Sequence, residues 1–464
     1  MFDVATRYFS SLFCSSKTAT DEEILQAIDR CVSPSENKLL CREFSAEEVT
    51  NAFSQVNPLK APGFDGLSGH FFRSFWNIVG CDFVNLCLSL LNGTMNFNFV
   101  NRTIIVLIPK VNNPTLMKQF RPISLCSIIY KVVSKVIVNR LKPLMHACIA
   151  ENQCAFVLGR RISDNFLVAH EIFHYLKGSK NGPNKGAAIK LDMEKAYDRG
   201  LSALLLKAQR RNEIKGIRAS MRGSRICHLL YTDDSLLFVK NSMVEVCKIK
   251  SILNQYEKAS GQKVNFEKSS IYFSPNTPTS DRLNFLNELG VVEASDPGNY
   301  LGLPLIVEKG KRAAFNFIRD NTEKRIQGWT KRLLSFGGRE VFIKSVVQAL
   351  PAYAMSCYLL LEGVIEDIKS QARSYWWSGK QNARGWAMVA WDKVCRPKKF
   401  GGMGFRDLKL FNFAPLGNQI WRLIQYDNSL AFKVLKAKYF PNTSFLRRKT
   451  FLCVGKHCEG QRGA

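Results

Sequence analysis

The chain has 464 residues, 46% of them hydrophobic, and at roughly 150 residues per domain that length allows about three structural units with real cores. Its 66 Lys and Arg against 38 Asp and Glu give a formal charge of +28. That balance argues against an ordinary small-molecule enzyme and for a polyanionic partner, because each neutralised phosphate releases counterions. The charge is spread along the chain, which favours several faces meeting a long nucleic acid over one basic tail or a membrane surface.

No stretch reaches the about 18 uninterrupted apolar residues of a spanning helix. The opening MFDVATRYFSSLFCSS lacks the basic-then-apolar blocks of a secretory signal. A nuclear or cytoplasmic location is expected, with a mitochondrial address left open. The 14 cysteines form no CxxC pair, so neither a disulfide framework nor a zinc ribbon is expected. Cys453, His457 and Cys458 offer three zinc ligands without a fourth, which makes chance the better reading.

In chain order, the part through about residue 150 reads as helices. DEEILQAIDRCV comes first, then SAEEVTNAFSQV, which opens with a Ser-x-x-Glu capping box. A loop at NPLKAPGFDGLSG leads to the apolar strand TIIVLIP, a polar turn, and the helix SIIYKVVSKVIVNRLKPLM. Past the linker GSKNGPNKG, the strand AAIKLDM carries Asp192, and the short helix LSALLLKAQRR follows soon after Arg199. CHLLYTDDSLLFVK reads as two apolar strands about a tight turn, and VCKIKSILNQYEKASG returns to helix. From about residue 310 the pattern is mostly helical and basic, with aromatics interleaved. Trp376 and Trp377 are read as core residues in preference to base-stacking platforms.

One Asp on a strand and two consecutive Asp at a hairpin tip, Asp233 and Asp234, can converge three carboxylates on one point. Nucleotidyl transfer wants that arrangement, since two Mg2+ ions about 3.5–4 Å apart clamp the attacking hydroxyl and the leaving pyrophosphate. Hairpin turns favour Asp for backbone reasons too, so the pair alone does not decide. Its surroundings do. KLDMEKAYD and YTDD, in order and each on an apolar strand, resemble the catalytic motifs of reverse transcriptases. LKAPGFDGL, IIVLIPK, FRPISLCSIIYKVVSKVIVNRL, ENQCAFVLGRRISDNFLVAHE, GQKVNFEKSS, YLGLPL and WDKVCRPKKFGGMGFRDL resemble, in the same order, blocks of the LINE-type, non-LTR retrotransposon enzymes common in plants.

That resemblance implies RNA-directed DNA synthesis from an RNA template, a DNA primer and dNTPs, with Mg2+ (or Mn2+) held by Asp192, Asp233 and Asp234. It makes Tyr197 the steric gate against a 2′-hydroxyl, and Lys110 and Arg121 the contacts to the incoming triphosphate. It makes Lys268 the acid for the leaving pyrophosphate, YLGLPL the primer grip, and RIQGWTKRLLSFGGREVFIKSV part of the thumb. The implied fold is α+β, a right-hand polymerase with an N-terminal extension and fingers over 1–186, a palm over 187–307 and a helical thumb and connection over 308–464.

The chain departs from the family between Asp198 and Leu201, where AYDR runs straight into GLSALLLKA. The family has there a long stretch that includes an Arg-Gln-Gly-Asp-Pro loop and most of a helix. Only 41 positions therefore separate Asp192 from Asp233. A shortened palm and impaired polymerisation are expected. The rival readings are a non-catalytic nucleic-acid-binding remnant and a product that never folds stably. The endonuclease that precedes the polymerase in the family has no counterpart here, so target nicking is not expected of this stretch.

Overall fold

A computed structural model describes residues 2–14, 22–178, 186–193, 199–307, 311–328, 333–379 and 386–442. These fall into two compact units, one holding 2–14, 28–150 and 156–159, the other 22–27, 151–155 and the described residues from 160 onward. The expected boundary at residue 186 does not coincide with this division. The helix Ile162–Gly178, which the sequence groups with the fingers, buries Phe166, Ile172 and Phe173 in the core of the second unit.

In the first unit the capping box forms as expected. Ser45 Oγ accepts the Glu48 N–H at 3.3 Å, and the Ser45 N–H donates to Glu48 Oε2 at 3.0 Å. The helix it starts, Ala46–Gln55, buries Val49, Ala52 and Phe53, the i, i+3, i+4 stripe of an amphipathic helix. They pack with Val132, Val133 and Val136 of the helix Ile128–Leu141, and Phe53 stacks on Trp76 with centroids 4.4 Å apart. Arg140 closes this layer. Its Nε and Nη2 each donate to a Glu48 oxygen at 2.8 Å, and its Nη1 and Nη2 reach the carbonyls of Leu40, Arg42 and Glu43 at 3.0, 2.6 and 2.8 Å. All five guanidinium donors are thereby engaged, and the Arg140 hydrogen bonds pull the Glu48 carboxyl down to about 2. The unit also carries an antiparallel hairpin, β1 (Ile104–Pro109) and β2 (Phe120–Leu125), in register from Ile104↔Leu125 to Pro109↔Phe120.

The second unit is built on a sheet of β3 (Gly186–Asp192), β6 (His228–Tyr231), β7 (Asp234–Lys240), β8 (Ser270–Phe273) and β9 (Val292–Glu293), in the order β6-β7-β3-β8-β9. The strands read as continuous apolar runs because the sheet is covered on both faces. On one face Ala188, Leu229, Leu236 and Phe238 meet the helix Ile162–Gly178 and C-terminal helices. On the other, Ile189, Leu191, Leu237, Val239 and Ile271 meet Arg199–Arg210, Met243–Ser260 and Thr279–Leu289. Two small antiparallel pairs flank it: β4 (Ile217–Arg218) with β5 (Arg225–Ile226), and β10 (Asn299–Tyr300) with β11 (Leu303–Pro304). The mixture of buried sheet and helices makes the fold α+β.

A buried ion pair pins the C-terminal helices to this unit. The Asp164 carboxylate, at the start of Ile162–Gly178, accepts from Arg422 Nη1 at 3.1 Å and from Arg422 Nη2, and Gln419 Nε2 donates to it at 3.2 Å. Glu171, about two turns further along the same face of the helix, accepts from Lys438 and from the Tyr439 hydroxyl. Trp376, in the helix Glu362–Ser378, is buried against Phe336 and Phe405. No helix among the described residues is long and apolar enough to cross a membrane.

Candidate active site

The acidic constellation is set by strand register. β3 lies between β7 and β8, antiparallel to both, and Asp192 is the direct partner of Asp234 across the β3–β7 ladder. Directly opposed residues of an antiparallel pair share one face, with Cβ atoms about 4.5–5.5 Å apart. The face is that of Ala188, Leu236 and Phe238, by the period-2 alternation. Backbone hydrogen bonds fix both ends of Asp192: its N–H donates to Ser269 Oγ at 3.2 Å and its carbonyl accepts the Asn265 N–H at 2.9 Å.

Thr232 and Asp233 form the tip between β6 and β7. Thr232 has a φ of 51°, a left-handed conformation that a β-branched residue enters only under constraint. Its Oγ1 donates to Asp233 Oδ1 at 2.7 Å, and Asp233 is exposed. Asp234 is half-buried, and its carboxyl is pushed above the usual range chiefly by burial, with Asp233 and Asp192 adding to the rise and Lys190 opposing it. Burial disfavours the charged carboxylate, and the two neighbouring acids add a smaller effect of the same sign.

The structure brings the three Asp to one end of one hairpin and one strand. Among the described residues, however, no three His, Cys, Asp or Glu side chains gather closely enough to hold a metal ion. The chemistry of the donor set suits Mg2+, a hard cation that takes oxygen ligands. Lys268 lies on the same side as the acids, its Nζ 3.7 Å from Asp192 Oδ2. With side chains 71% and 45% exposed, that pair contributes little to stability.

Lys110 and Arg121 sit on the β1–β2 hairpin of the first unit. Arg121 opposes Ile108, two residues before Lys110, so the two cations share a face of the ribbon. The Lys110 Nζ donates to the Lys118 carbonyl at 3.1 Å. Tyr197 falls outside the described residues, as do Cys453, His457 and Cys458.

Three residues that matter here were not singled out from the sequence. Lys190 acts electrostatically on Asp234 and donates to the Asn299 carbonyl at 2.7 Å. Its signal was legible, since it is the one cation inside the run AAIKLDM and lies two positions from Asp192, hence on the same face. Asn152 and Asn165 brace β6, donating to the carbonyls of His228 and Leu230 at 2.8 Å each. Nothing local in the sequence marks those two.

Residues 108–217 match the family described as reverse transcriptase (RNA-dependent DNA polymerase). The match contains Lys110, Arg121, Asp192 and Tyr197 and ends before Asp233. Over those residues the chain resembles a reverse transcriptase. Its resemblance to non-LTR retrotransposon enzymes is supported along most of its length by similarity to the transposon TX1 uncharacterized 149 kDa protein of Xenopus laevis, at 26% identity over 87% of this chain and 35% of that one. An uncharacterized mitochondrial protein of Arabidopsis thaliana is 41% identical over 21% of this chain and 64% of its own length. Another Arabidopsis protein, provisionally named for ribonuclease H, is 34% identical over 30% of this chain and 22% of its own. The chain thus spans less than two thirds of each of these relatives. The alignment to the Xenopus protein runs over 472 positions, more than the 464 residues of this chain. It therefore opens gaps in this chain.

Proposed function

We propose that this chain is the polymerase part of a LINE-type retrotransposon reverse transcriptase. It would extend a DNA primer on an RNA template, in a right-hand layout whose palm is the buried five-stranded sheet. The observation that carries the reading is the register that sets Asp192 against Asp234 in a sheet covered on both faces. Rigid strands hold reacting groups more accurately than loops do. Asp192, Asp233 and Asp234 are the residues that would hold Mg2+, and a cation there would offset the cost of keeping the half-buried Asp234 carboxylate charged beside two other acids. The bound ions would stabilise the charge that develops on the attacking and leaving oxygens.

The remaining residues take roles suited to their chemistry. Lys110 offers a point charge and Arg121 a planar fork to the triphosphate. Lys268, whose ion pair with Asp192 is exposed, would turn from it and give a proton to the departing pyrophosphate. Tyr197 would sit against the sugar and exclude a 2′-hydroxyl. Residues 299–304, in YLGLPL, would grip the primer, and the helices beyond residue 311 would form the thumb.

This copy polymerises poorly in our reading. The 41 positions between Asp192 and Asp233 leave no room for the family's loop and helix beneath the template, and the gapped alignment to the Xenopus relative agrees with a missing stretch. A second reading, a nucleic-acid-binding remnant without turnover, is favoured by the lack of a three-ligand group among the described residues. Primer extension on an RNA template with dNTPs and Mg2+ separates the two. Slow synthesis, lost in Asp192→Asn, supports a weak polymerase, and none at all supports the remnant. A version with a family-like segment inserted after Arg199 should be at least about a hundredfold faster, since misplacement of about 1 Å costs that much. Equal rates for the two versions would show the missing segment to be dispensable.

A further inference from the structure

At the end of the sheet opposite Asp192, the first residue of β3 and the last of β7 pair, Gly186 with Lys240. Six steps of about 3.3 Å put this end about 20 Å along the strand from the acids. A cavity of about 220 Å³ opens here, lined in part by Arg218, Ser220, Arg225 and Lys240. That is several times the about 30 Å³ share of a water molecule, yet below the about 300–1,000 Å³ of typical small-molecule sites.

The cavity is built to keep positive charges together. Arg218 and Arg225 are direct partners across the β4–β5 pair, where like charges repel. Lys240 is disfavoured as a cation first by burial and then by Arg225, Lys215 and Arg218, with Glu245 only partly offsetting them. The Glu245 carboxylate is itself engaged, accepting the Lys240 backbone N–H at 3.1 Å. Among the described residues, Arg225 Nη1 and Ser220 Oγ are buried without a hydrogen-bond partner. A buried guanidinium donor left unmade is costly, and three clustered cations compound the cost.

Glycines bring the backbone close enough to form the walls. A Cβ at Gly216, where φ is +63°, would lie 2.5 Å from the Ile226 carbonyl oxygen. One at Gly186 would lie 2.8 Å from Ile217 Cδ1.

We propose that this cavity is an anion site that takes a phosphate or diphosphate group, with Arg225, Lys240, Arg218 and Ser220 as its donors. The site lies outside the polymerase centre, and the inference does not rest on the polymerase reading. The anion supplies what the cavity lacks: acceptors for Arg225 Nη1 and Ser220 Oγ, and negative charge among the cations. Its source is either a free polyphosphate or the backbone of a nucleic acid, which share this chemistry.

The test is calorimetric titration of the full chain with inorganic pyrophosphate, in EDTA and at constant ionic strength, so that no metal bridges the anion to Asp192. Wild type is compared with Arg225→Gln/Lys240→Gln and with a charge-matched control, Lys258→Gln/Lys263→Gln, at exposed sites elsewhere. We expect about tenfold or more weakening in the cavity variant, since each charge-assisted hydrogen bond lost contributes at least that much, and unchanged binding in the control. Equal weakening in both, or none in the cavity variant, overturns the site. Thermal unfolding without anion guards against misfolding: the cavity variant should melt at or above wild type, because repulsion is removed. A lower melting temperature would mean that these cations serve the fold and would also overturn the proposal. A short oligouridylate that displaces pyrophosphate identifies the nucleic-acid backbone as the source; simultaneous binding identifies the free anion.

Discussion

The molecule contains two apolar hairpins that look alike in sequence and end in opposite circumstances. β1–β2 carries Ile104, Ile105, Val106 and Ile108, and all four are exposed, Ile108 by 48%. β6–β7 carries Leu229, Leu236, Leu237 and Phe238, all fully buried. The first is a two-stranded ribbon, and the second lies in a five-stranded sheet covered on both faces. Apolar, β-branched composition makes a strand, but only neighbouring layers decide whether its side chains leave water. The proposed division of labour follows from this difference. In that proposal the carboxylates sit on the rigid mount that the buried sheet provides, and the cations assigned to the triphosphate sit on an exposed two-stranded ribbon.

The largest contrast should appear on truncating one residue of each hairpin. Phe238→Ala should cost about 3–5 kcal/mol, because a buried ring leaves a cavity that the packed layers cannot fill. Ile108→Ala should stay within about 1 kcal/mol, since the side chain is already half in water. Urea unfolding of both variants measures the difference. Comparable losses would mean that the β1–β2 ribbon is covered in solution.

The second effect concerns polar anchoring of the first unit, where one fork takes over part of what sheet burial does in the second. Glu48→Gln should cost about 2–3 kcal/mol, because Arg140 loses its charged partner. The pH dependence has a definite sign. The folded Glu48 pKa, about 2, lies below its ordinary 4.5, so its contribution is full above about 4.5 and fades as pH falls towards 2. Wild type should therefore lose stability over that window by more than the Gln variant does. Parallel pH profiles from chemical denaturation would remove the fork from this role.

What could be read from the sequence follows the same division between local and distant causes. The Ser45–Glu48 box, the strand bearing Asp192 and the YTDD hairpin are encoded within a few residues, and each forms where expected. Arg140 with Glu48, and Asp164 with Arg422, are 92 and 258 positions apart, and no local pattern announces either. The exposure of β1–β2 was hidden for another reason: TIIVLIP looks the same whether or not anything covers it. The core that the helix Ile162–Gly178 joins was hidden as well, because it is buried nearly all round, with Ser163, Asp164, Asn165 and Glu171 among its buried residues, and no single apolar stripe in its sequence points to one neighbour.

A smaller effect tests the cations of the ribbon. Lys110→Ala and Arg121→Ala should each change stability by less than about 0.5 kcal/mol, as exposed residues away from caps and cores usually do. Binding of a dNTP in the presence of template and primer should nevertheless weaken about tenfold, the loss of one charged contact. If stability fell while nucleotide binding held, the two residues would be structural.

The smallest expected change lies at the tip of the buried hairpin, where rigidity has a local cost. Thr232 sits at φ 51° although its branched Cβ disfavours that region, and it stays there because both strands beside it are fixed in the sheet. Asn tolerates the left-handed conformation better than other non-glycine residues and keeps a side-chain amide that can donate to Asp233. Thr232→Asn should therefore stabilise the protein by about 0.5–1 kcal/mol, within the range that such strain stores. The comparison between the hairpins sharpens here, because the type of turn and not the burial of the strands is altered. Mg2+ bound at the proposed site should raise the melting temperature, a rise that Asp192→Asn/Asp233→Asn should lose and Thr232→Asn should keep, since the latter touches none of the three carboxylates. A destabilised variant with an intact metal response would show that the Thr232 conformation is unstrained in its setting. Loss of the metal response with stability unchanged would show instead that Thr232 itself helps to aim Asp233.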